Sequence, residues 1–133
     1  MKRLCVDGAC IDDELLALIC KRCNGLHTLE IDEYSHYKGL LTAKGLSSLR
    51  TLPNLKRLHL GGCKLGVGHM SEIAELSQLE ELSLEDRSID DAVIEPLKKL
   101  PNLKRINLER TQASDKPFSA IRGDWEDSRP YRS

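Results

Sequence analysis

The stretch that decides the fold is Leu55-Lys56-Arg57-Leu58-His59-Leu60. Its leucine spacing, LxxLxL, recurs downstream as Leu79-Glu80-Glu81-Leu82-Ser83-Leu84 and, with isoleucine at one position, as Leu103-Lys104-Arg105-Ile106-Asn107-Leu108. The three copies start at 55, 79 and 103, so the repeat period is 24 residues. A sustained period of this length is typical of a repeat protein, in which each copy is one structural unit.

Apolar residues also recur through the rest of each copy. They follow the copy at 55 as Leu65, Met70, Ile73 and Leu76, and the copy at 79 as Ile89, Ile94, Leu97 and Leu100. An earlier copy comprises Leu26, Leu29 and Ile31 and, displaced by five residues, Leu41, Leu46, Leu49 and Leu52. The N-terminal copy comprises Met1, Leu4, Val6, Ile11, Leu16, Ile19 and Cys23, and a sixth begins with Ala113, Phe118 and Ile121. The chain therefore contains about five repeats.

Each repeat is predicted to form a short strand followed by a helical return. The LxL alternation places both leucines on one face of a strand, and the later three-residue steps have helical spacing. Neither element can bury its apolar side without the neighbouring repeat. We therefore expect an α/β fold, a right-handed solenoid of about five turns with short parallel strands on its concave face and helical returns on its convex face. Residues 1–122 would form this domain and residues 123–133 a C-terminal cap or tail.

Polar residues and prolines indicate where the helical returns begin and how long they are. Three of the returns begin at residues whose side chains are good helix N-caps: Asp12 and Asp13, Thr42, and Asp90 and Asp91. Pro96 lies inside the fourth return, where it removes a backbone donor and clashes with the preceding turn. We expect that return to be short or split.

The repeats, over roughly Met1 to Ile121, resemble those of leucine-rich-repeat proteins. Two segments are similar to the cysteine-containing repeats of F-box substrate adaptors of ubiquitin ligases: Ile11-Asp12-Asp13-Glu14-Leu15-Leu16-Ala17-Leu18-Ile19-Cys20-Lys21-Arg22-Cys23-Asn24-Gly25-Leu26 and Leu60-Gly61-Gly62-Cys63-Lys64-Leu65. In that family an F-box contacts the ligase core and the repeats select the substrate. Here Met1 already occupies a repeat position and no F-box is present. The resemblance implies a substrate-recognition or adaptor part of a larger assembly.

Composition and charge argue against several classes of function. A net charge of -1, from 20 basic and 21 acidic residues, lacks the basic excess that binding to a nucleic-acid backbone requires. No stretch approaches the roughly 20 apolar residues of a membrane helix. Aromatic residues, at 4%, are scarce for an enzyme pocket. Five cysteines without a pairing pattern favour reduced thiols and an intracellular protein, cytoplasmic or nuclear.

Cysteines and histidines suggest two chemical alternatives. Cys5, Cys10, Cys20 and Cys23 could supply four zinc ligands, and the spacing of Cys20 and Cys23 is half of the usual pattern. Cys23 occupies the repeat position of Leu52, however, so we expect it to be a small buried apolar residue, and we expect no metal or other cofactor. Nucleophilic catalysis needs a histidine base within reach of the nucleophile. We expect no enzyme activity, because the four histidines fall in four different structural settings. They are His27, His36, His59 and His69.

Polar strand positions form the predicted binding surface. The alternation places a set of polar strand residues, with charges of both signs, on the concave face: Arg3, Cys5, Asp7, Thr28, Glu30, Asp32, Arg57, His59, Gly61, Glu81, Ser83, Glu85, Arg105, Asn107 and Glu109. Glu30 and Glu81 on adjoining strands favour His59 as a contact residue over a general base. The insertion at 32–40 contains two of the three tyrosines, Tyr34 and Tyr37, which are typical interface anchors in a projecting loop. The alternatives are a solvated face and tyrosines that fold back on the neighbouring repeat.

We therefore predict a non-catalytic module that binds a protein partner through the concave strands and the 32–40 loop. The predicted contact residues are Glu30, Asp32, Tyr34, His36, Tyr37, Arg57, His59, Glu81, Glu85, Arg105 and Glu109. The alternative is a structural subunit of a multiprotein complex, docked through the strand at Leu4 to Val6. That strand begins directly at Met1, and an open strand edge invites pairing with another chain or with upstream sequence.

Overall fold

The computed structural model describes residues 2–7, 11–32, 41–61, 65–108 and 111–113. Five short strands alternate with helical segments along the chain. The strands are β1 (Arg3–Asp7), β2 (Thr28–Asp32), β3 (Arg57–Gly61), β4 (Glu81–Glu85) and β5 (Arg105–Asn107). The α-helices are α1 (Asp13–Arg22), α2 (Ala43–Leu46) and α3 (Val67–Ile73), and two 3-10 helices span Ser47–Thr51 and Glu95–Lys99.

The five strands form one parallel sheet in the order β1-β2-β3-β4-β5, so each strand lies beside its neighbours in sequence. Equivalent repeat positions face one another directly across the sheet. One such row contains Leu4, Leu29, Leu58, Leu82 and Ile106. The α/β class, the parallel strands and the register read from the period of 24 residues are therefore confirmed.

A single apolar core runs between the sheet and the helical segments. The strand leucines and the apolar residues of the helical returns belong to one cluster of buried side chains, with most members at 0–2% exposure. All apolar positions predicted for the copies at 26, 55 and 79 are buried. Leu4 and Val6 on β1 are half-buried, because β2 is the one strand beside β1 in the described part of the chain. Stacking of neighbouring repeats thus accounts for the burial.

Two of the predicted helix starts agree with the structure, since Asp12 caps α1 and Thr42 caps α2, whereas Asp90 begins a turn and the 3-10 helix after it has no side-chain cap. The Asp12 carboxylate accepts the N–H of the residue three positions later at 2.8 Å, the Thr42 hydroxyl does so at 3.2 Å and the Asp90 carboxylate at 3.0 Å. Each cap satisfies a backbone donor that the first helical turn leaves unpaired. The fourth return is shortened as Pro96 predicts, since its regular part is the 3-10 helix Glu95–Lys99.

The first repeat departs from the predicted pattern at its helix. Ile19 and Cys23 were expected to be the buried residues, yet both are half-buried and Cys20 is 1% exposed. Helix α1 has ten residues, so Leu16 and Cys20, four positions apart, lie on one face. Ile19 and Cys23 are four positions apart, whereas the matching residues of the later copies, such as Ile73 and Leu76, are three apart. This extra residue shifts the helical phase, so the repeat pattern cannot separate Ile19 from Cys20.

Within the described ranges, no helix is long and apolar enough to cross a membrane.

Candidate protein-binding face

The strand side chains that alternate with the buried leucines form a polar surface across all five strands, called here the open face. The register arranges its residues in three rows. The amino-end row contains Arg3, Thr28, Arg57, Glu81 and Arg105; the central row Cys5, Glu30, His59, Ser83 and Asn107; and the carboxyl-end row Asp32, Gly61 and Glu85. These are the strand positions that the alternation predicted to share one face.

In the amino-end row, Glu81 lies between two arginines. Arg57 Nε donates to a Glu81 carboxylate oxygen at 2.8 Å, and Arg105 Nη1 is 3.8 Å from the other oxygen. The arginine side chains are 61% and 42% exposed, and that of Glu81 is 21% exposed. Exposed pairs of this kind contribute about 0–1 kcal/mol to stability. The main effect of these contacts is to keep the two guanidinium groups beside Glu81 on the open face.

Arg3 makes a comparable contact across the first two strands. Its guanidinium is 2.5 Å from the Glu30 carboxylate in the central row. A hydrogen bond with Cys5 and the charge of Glu30 raise the pKa of Arg3, so the side chain stays charged. The predicted contact residues omit Arg3, although its position at the start of β1 matches that of Arg57 and Arg105. The recurring Lys-Arg pair at 2–3, 56–57 and 104–105 is the signal that could have identified it.

A second set of charges lies one residue earlier, where the strands begin. Glu80 is 3.5 Å from the Lys56 ammonium and 3.7 Å from that of Lys104. Backbone hydrogen bonds of 2.7–2.8 Å join these residues, since the Glu80 N–H donates to Lys56 and the Lys104 N–H to Glu80. The charged residues at the strand starts are therefore held in line with the sheet.

His59 pairs with a carboxylate that the sequence did not indicate. Glu30 lies directly opposite His59 on β2 and Glu81 lies on the adjoining β4, as predicted, but His59 Nε2 pairs with Asp32 Oδ1 at 2.5 Å. The physical reason is Gly61. A Cβ at this position would lie 2.8 Å from Asp32 Oδ1 and 3.0 Å from His59 Nε2. The missing side chain leaves the space in which the pair forms.

The centre of the open face contains a polar group without a partner. The Ser83 hydroxyl is buried and has no hydrogen-bond partner in the described part of the chain. Its cross-strand neighbours are His59 on one side and Asn107, 6% exposed, on the other. Buried unsatisfied groups are few in folded proteins, and a bound water, an ion or a functional contact commonly accounts for them.

Carboxylates are the main charged groups of the carboxyl-end row, at the edge of the open face opposite the amino-end row. Asp32 and Glu85 are half-buried there. Asp86, the next residue after β4, accepts the Leu65 N–H at 2.9 Å and the Ser88 hydroxyl at 2.7 Å. Asp86 therefore joins successive repeats, while Asp32 and Glu85 belong to the surface.

The structure brings together seven of the eleven predicted contact residues. Those on one face are Glu30, Asp32, Arg57, His59, Glu81, Glu85 and Arg105. The predictions for Tyr34, His36, Tyr37 and Glu109 lie outside the described residues. So do the 32–40 loop beyond Asp32 and the C-terminal segment 123–133.

The described thiols differ in their surroundings. Cys5 is exposed, Cys23 is half-buried and Cys20 is buried. Burial raises the pKa of the Cys20 thiol to about 11. A thiol with this pKa is protonated at neutral pH, and it is the thiolate that attacks electrophiles and binds metals. Cys10, the fourth cysteine of the zinc alternative, lies outside the described residues.

His69 lies in the helical layer and not on the open face. In helix α3, His69 Nδ1 accepts the Gly66 N–H at 3.1 Å, and its Nε2 donates to the Leu41 carbonyl at 3.0 Å. His69 therefore links two neighbouring repeats. In the described part of the chain, no group of three or more histidine, cysteine, aspartate or glutamate residues is placed to hold a metal ion.

Comparison of the chain with protein-family models found no match, and neither did comparison with curated proteins.

Proposed function

We propose that this chain is a right-handed leucine-rich-repeat solenoid that binds a protein partner through its open face, which would be the concave side. The module is non-catalytic and requires no cofactor. On the basis of its cysteine-containing repeats, we place it as a recognition or adaptor part of a larger assembly, such as a ubiquitin ligase.

The observation that carries this proposal is the ordered array of polar side chains on one side of the sheet. The opposite side is occupied by the apolar core, so the strands present a surface of five adjacent repeats. Arg3 with Glu30, Arg57 with Glu81, and His59 with Asp32 hold one another in place across strands. Side chains ordered before binding lose less conformational freedom on association.

Quantitative affinity purification with three forms of the chain tests the proposal. One is the unmodified chain, one carries His59→Ala and Glu85→Ala on the open face, and the control carries Arg50→Ala and Lys98→Ala in the helical layer. The control removes two exposed ion pairs, Arg50 with Glu72 at 2.7 Å and Lys98 with Glu95 at 2.9 Å. We expect partner proteins to be retained by the control and depleted from the open-face variant. Equal recovery from all three forms would contradict the proposal.

A structural role through the edge of β1 is the second candidate. The observation that favours it is that Leu4 and Val6 are half-buried, whereas Leu29 and Ile31 beside them are fully buried. A chain pairing with β1 would complete their burial. Cys5→Lys adds a charge to this edge and leaves the core unchanged. If the candidate is right, sedimentation shows self-association or complex formation that this variant weakens; a monomer at high concentration, unchanged by the variant, would exclude it.

A further inference from the structure

Basic residues are concentrated where the strands begin. The ten positions there, called the amino-end rim, are Lys2, Arg3, His27, Thr28, Lys56, Arg57, Glu80, Glu81, Lys104 and Arg105. They include six cationic side chains and two carboxylates. The whole chain has a net charge of -1, so this excess of positive charge is local. A local potential of one sign attracts a partner group of the opposite sign.

The cations of the rim are also the more exposed partners of its ion pairs. The side chains of Arg3, Arg57 and Arg105 are 67%, 61% and 42% exposed, whereas their carboxylate partners Glu30 and Glu81 are 26% and 21% exposed. Lys104 is 65% exposed, against 32% for its partner Glu80. A molecule that approaches the rim therefore meets guanidinium and ammonium groups before carboxylates. Guanidinium groups are well suited to bidentate pairing with carboxylates.

The opposite end of the open face has the opposite sign. Asp32 and Glu85 lie there, four residues along their strands from the rim, which is about 13 Å at the usual rise per residue. A uniformly basic partner would be repelled at the amino-end rim, and a uniformly acidic one would be repelled at the carboxyl end. The face therefore favours a narrow acidic segment that runs across the strands at the rim.

We propose that the partner contributes an acidic, extended peptide segment, rich in aspartate and glutamate, that lies across the strand starts and pairs with Arg3, Arg57 and Arg105. This inference rests on the proposed function and specifies the chemistry of the partner. From β1 to β5 the rim spans four strand spacings, about 19 Å, which an extended peptide covers in about six residues. Thr28 lies between Arg3 and Arg57 and leaves room for a side chain between them.

The acidic pair Glu80 and Glu81 favours a peptide over a nucleic acid. These residues interrupt the basic rim at β4, between the arginines of β3 and β5. A nucleic-acid strand carries a phosphate at every nucleotide and would place one near this interruption. A peptide can place a neutral residue there and keep its carboxylates opposite the arginines.

Selection from a random display library of peptides about seven residues long tests the inference. The selection uses the full chain, and the recovered peptides are synthesised and measured by fluorescence anisotropy. We expect the recovered peptides to be enriched in aspartate and glutamate, and their binding to weaken at higher ionic strength. Arg3→Gln with Arg57→Gln should weaken binding by about tenfold. The matched control is Arg50→Gln, which removes a 51% exposed arginine from an ion pair in the helical layer and should leave binding unchanged.

Several results would overturn the inference, and they separate it from the proposed function. If the selected peptides are apolar or basic and lose affinity in His59→Ala but not in the arginine variant, the open face binds a partner of different chemistry. If neither variant affects any selected peptide, both proposals are wrong. A single-stranded RNA oligonucleotide of the same charge serves as a comparison. Equal affinity for RNA and for the acidic peptides would show a general polyanion surface and reject the peptide assignment.

Discussion

Replacing Leu58 by alanine should destabilise the chain more than the same change at Leu4, although both belong to one row of the sheet. Leu58 is 2% exposed and lies between Leu29 and Leu82. Leucine-to-alanine changes in a core cost about 2–5 kcal/mol, and the cost is highest where the surroundings cannot close the cavity. Both neighbours of Leu58 are held by repeats on either side, so we expect a loss in the upper half of this range, about 3–5 kcal/mol.

Leu4 provides the internal comparison. It is half-buried, and Leu29 is its cross-strand neighbour in the row. A partly exposed leucine gains less than the full transfer free energy of about 1.5–3 kcal/mol, and water can fill the space that its removal leaves. We therefore expect Leu4→Ala to cost about 1–2 kcal/mol.

Urea denaturation followed by circular dichroism measures both changes. A domain whose unfolding free energy lies near the middle of the usual range of about 5–15 kcal/mol remains folded after either substitution. The midpoints should shift and the slopes should stay constant. Lys56→Ala, at an exposed position beside the same strand, is the control and should shift the midpoint little. Equal losses at Leu4 and Leu58 would refute the conclusion that burial in this fold depends on a repeat at each side.

Three further predictions concern contacts within and between repeats. A methyl group at Gly45 would overlap the Asp13 carboxylate and break its hydrogen bonds to Thr42, so Gly45→Ala should cost about 1–2 kcal/mol despite the better helix propensity of alanine. Gly25→Ala, with open space around it, should not, and the penalty at Gly45 should be smaller in an Asp13→Ala background, where the carboxylate is absent and the Asp13 Cβ at 2.9 Å remains. Iodoacetamide should modify exposed Cys5 rapidly and buried Cys20 only as the chain unfolds, as followed by peptide mass spectrometry; similar rates would contradict the burial of Cys20. Because burial raises the pKa of Cys20 from 9.0 to about 11, the unfolded chain loses the thiol proton first, so stability should be constant below about pH 9 and fall as the pH rises toward 11. A Cys20→Ala variant should lose less unfolding free energy at alkaline pH than the unmodified chain. If the unfolding free energies of the two forms fall in parallel as the pH rises, the prediction is wrong.

Much of the candidate site follows from periodicity, but its contacts do not. The alternation of LxL assigns Arg57, His59 and Glu81 to one face, because side chains on a strand alternate with a period of two. It does not say which charges meet. Arg3 contacts Glu30 in the next row, and Arg57 contacts Glu81 in its own row. Long side chains choose among several neighbours 5–8 Å away, and that choice depends on rotamers and on local space.

The sequence alone determined the strands, the apolar rows of the sheet and the caps that begin helices α1 and α2. A 24-residue repeat of leucines can bury its apolar side in one way, by stacking equivalent positions, and a cap needs a suitable side chain at a single position. Tertiary structure decided the contacts that join distant residues. Asp32 reaches His59 because Gly61 lacks a side chain, and Cys20 is buried more fully than Ile19 because the packing of helix α1 decides which of its sides faces the core. Such contacts depend on the space left by residues far away in the chain, and periodicity contains no information about that space.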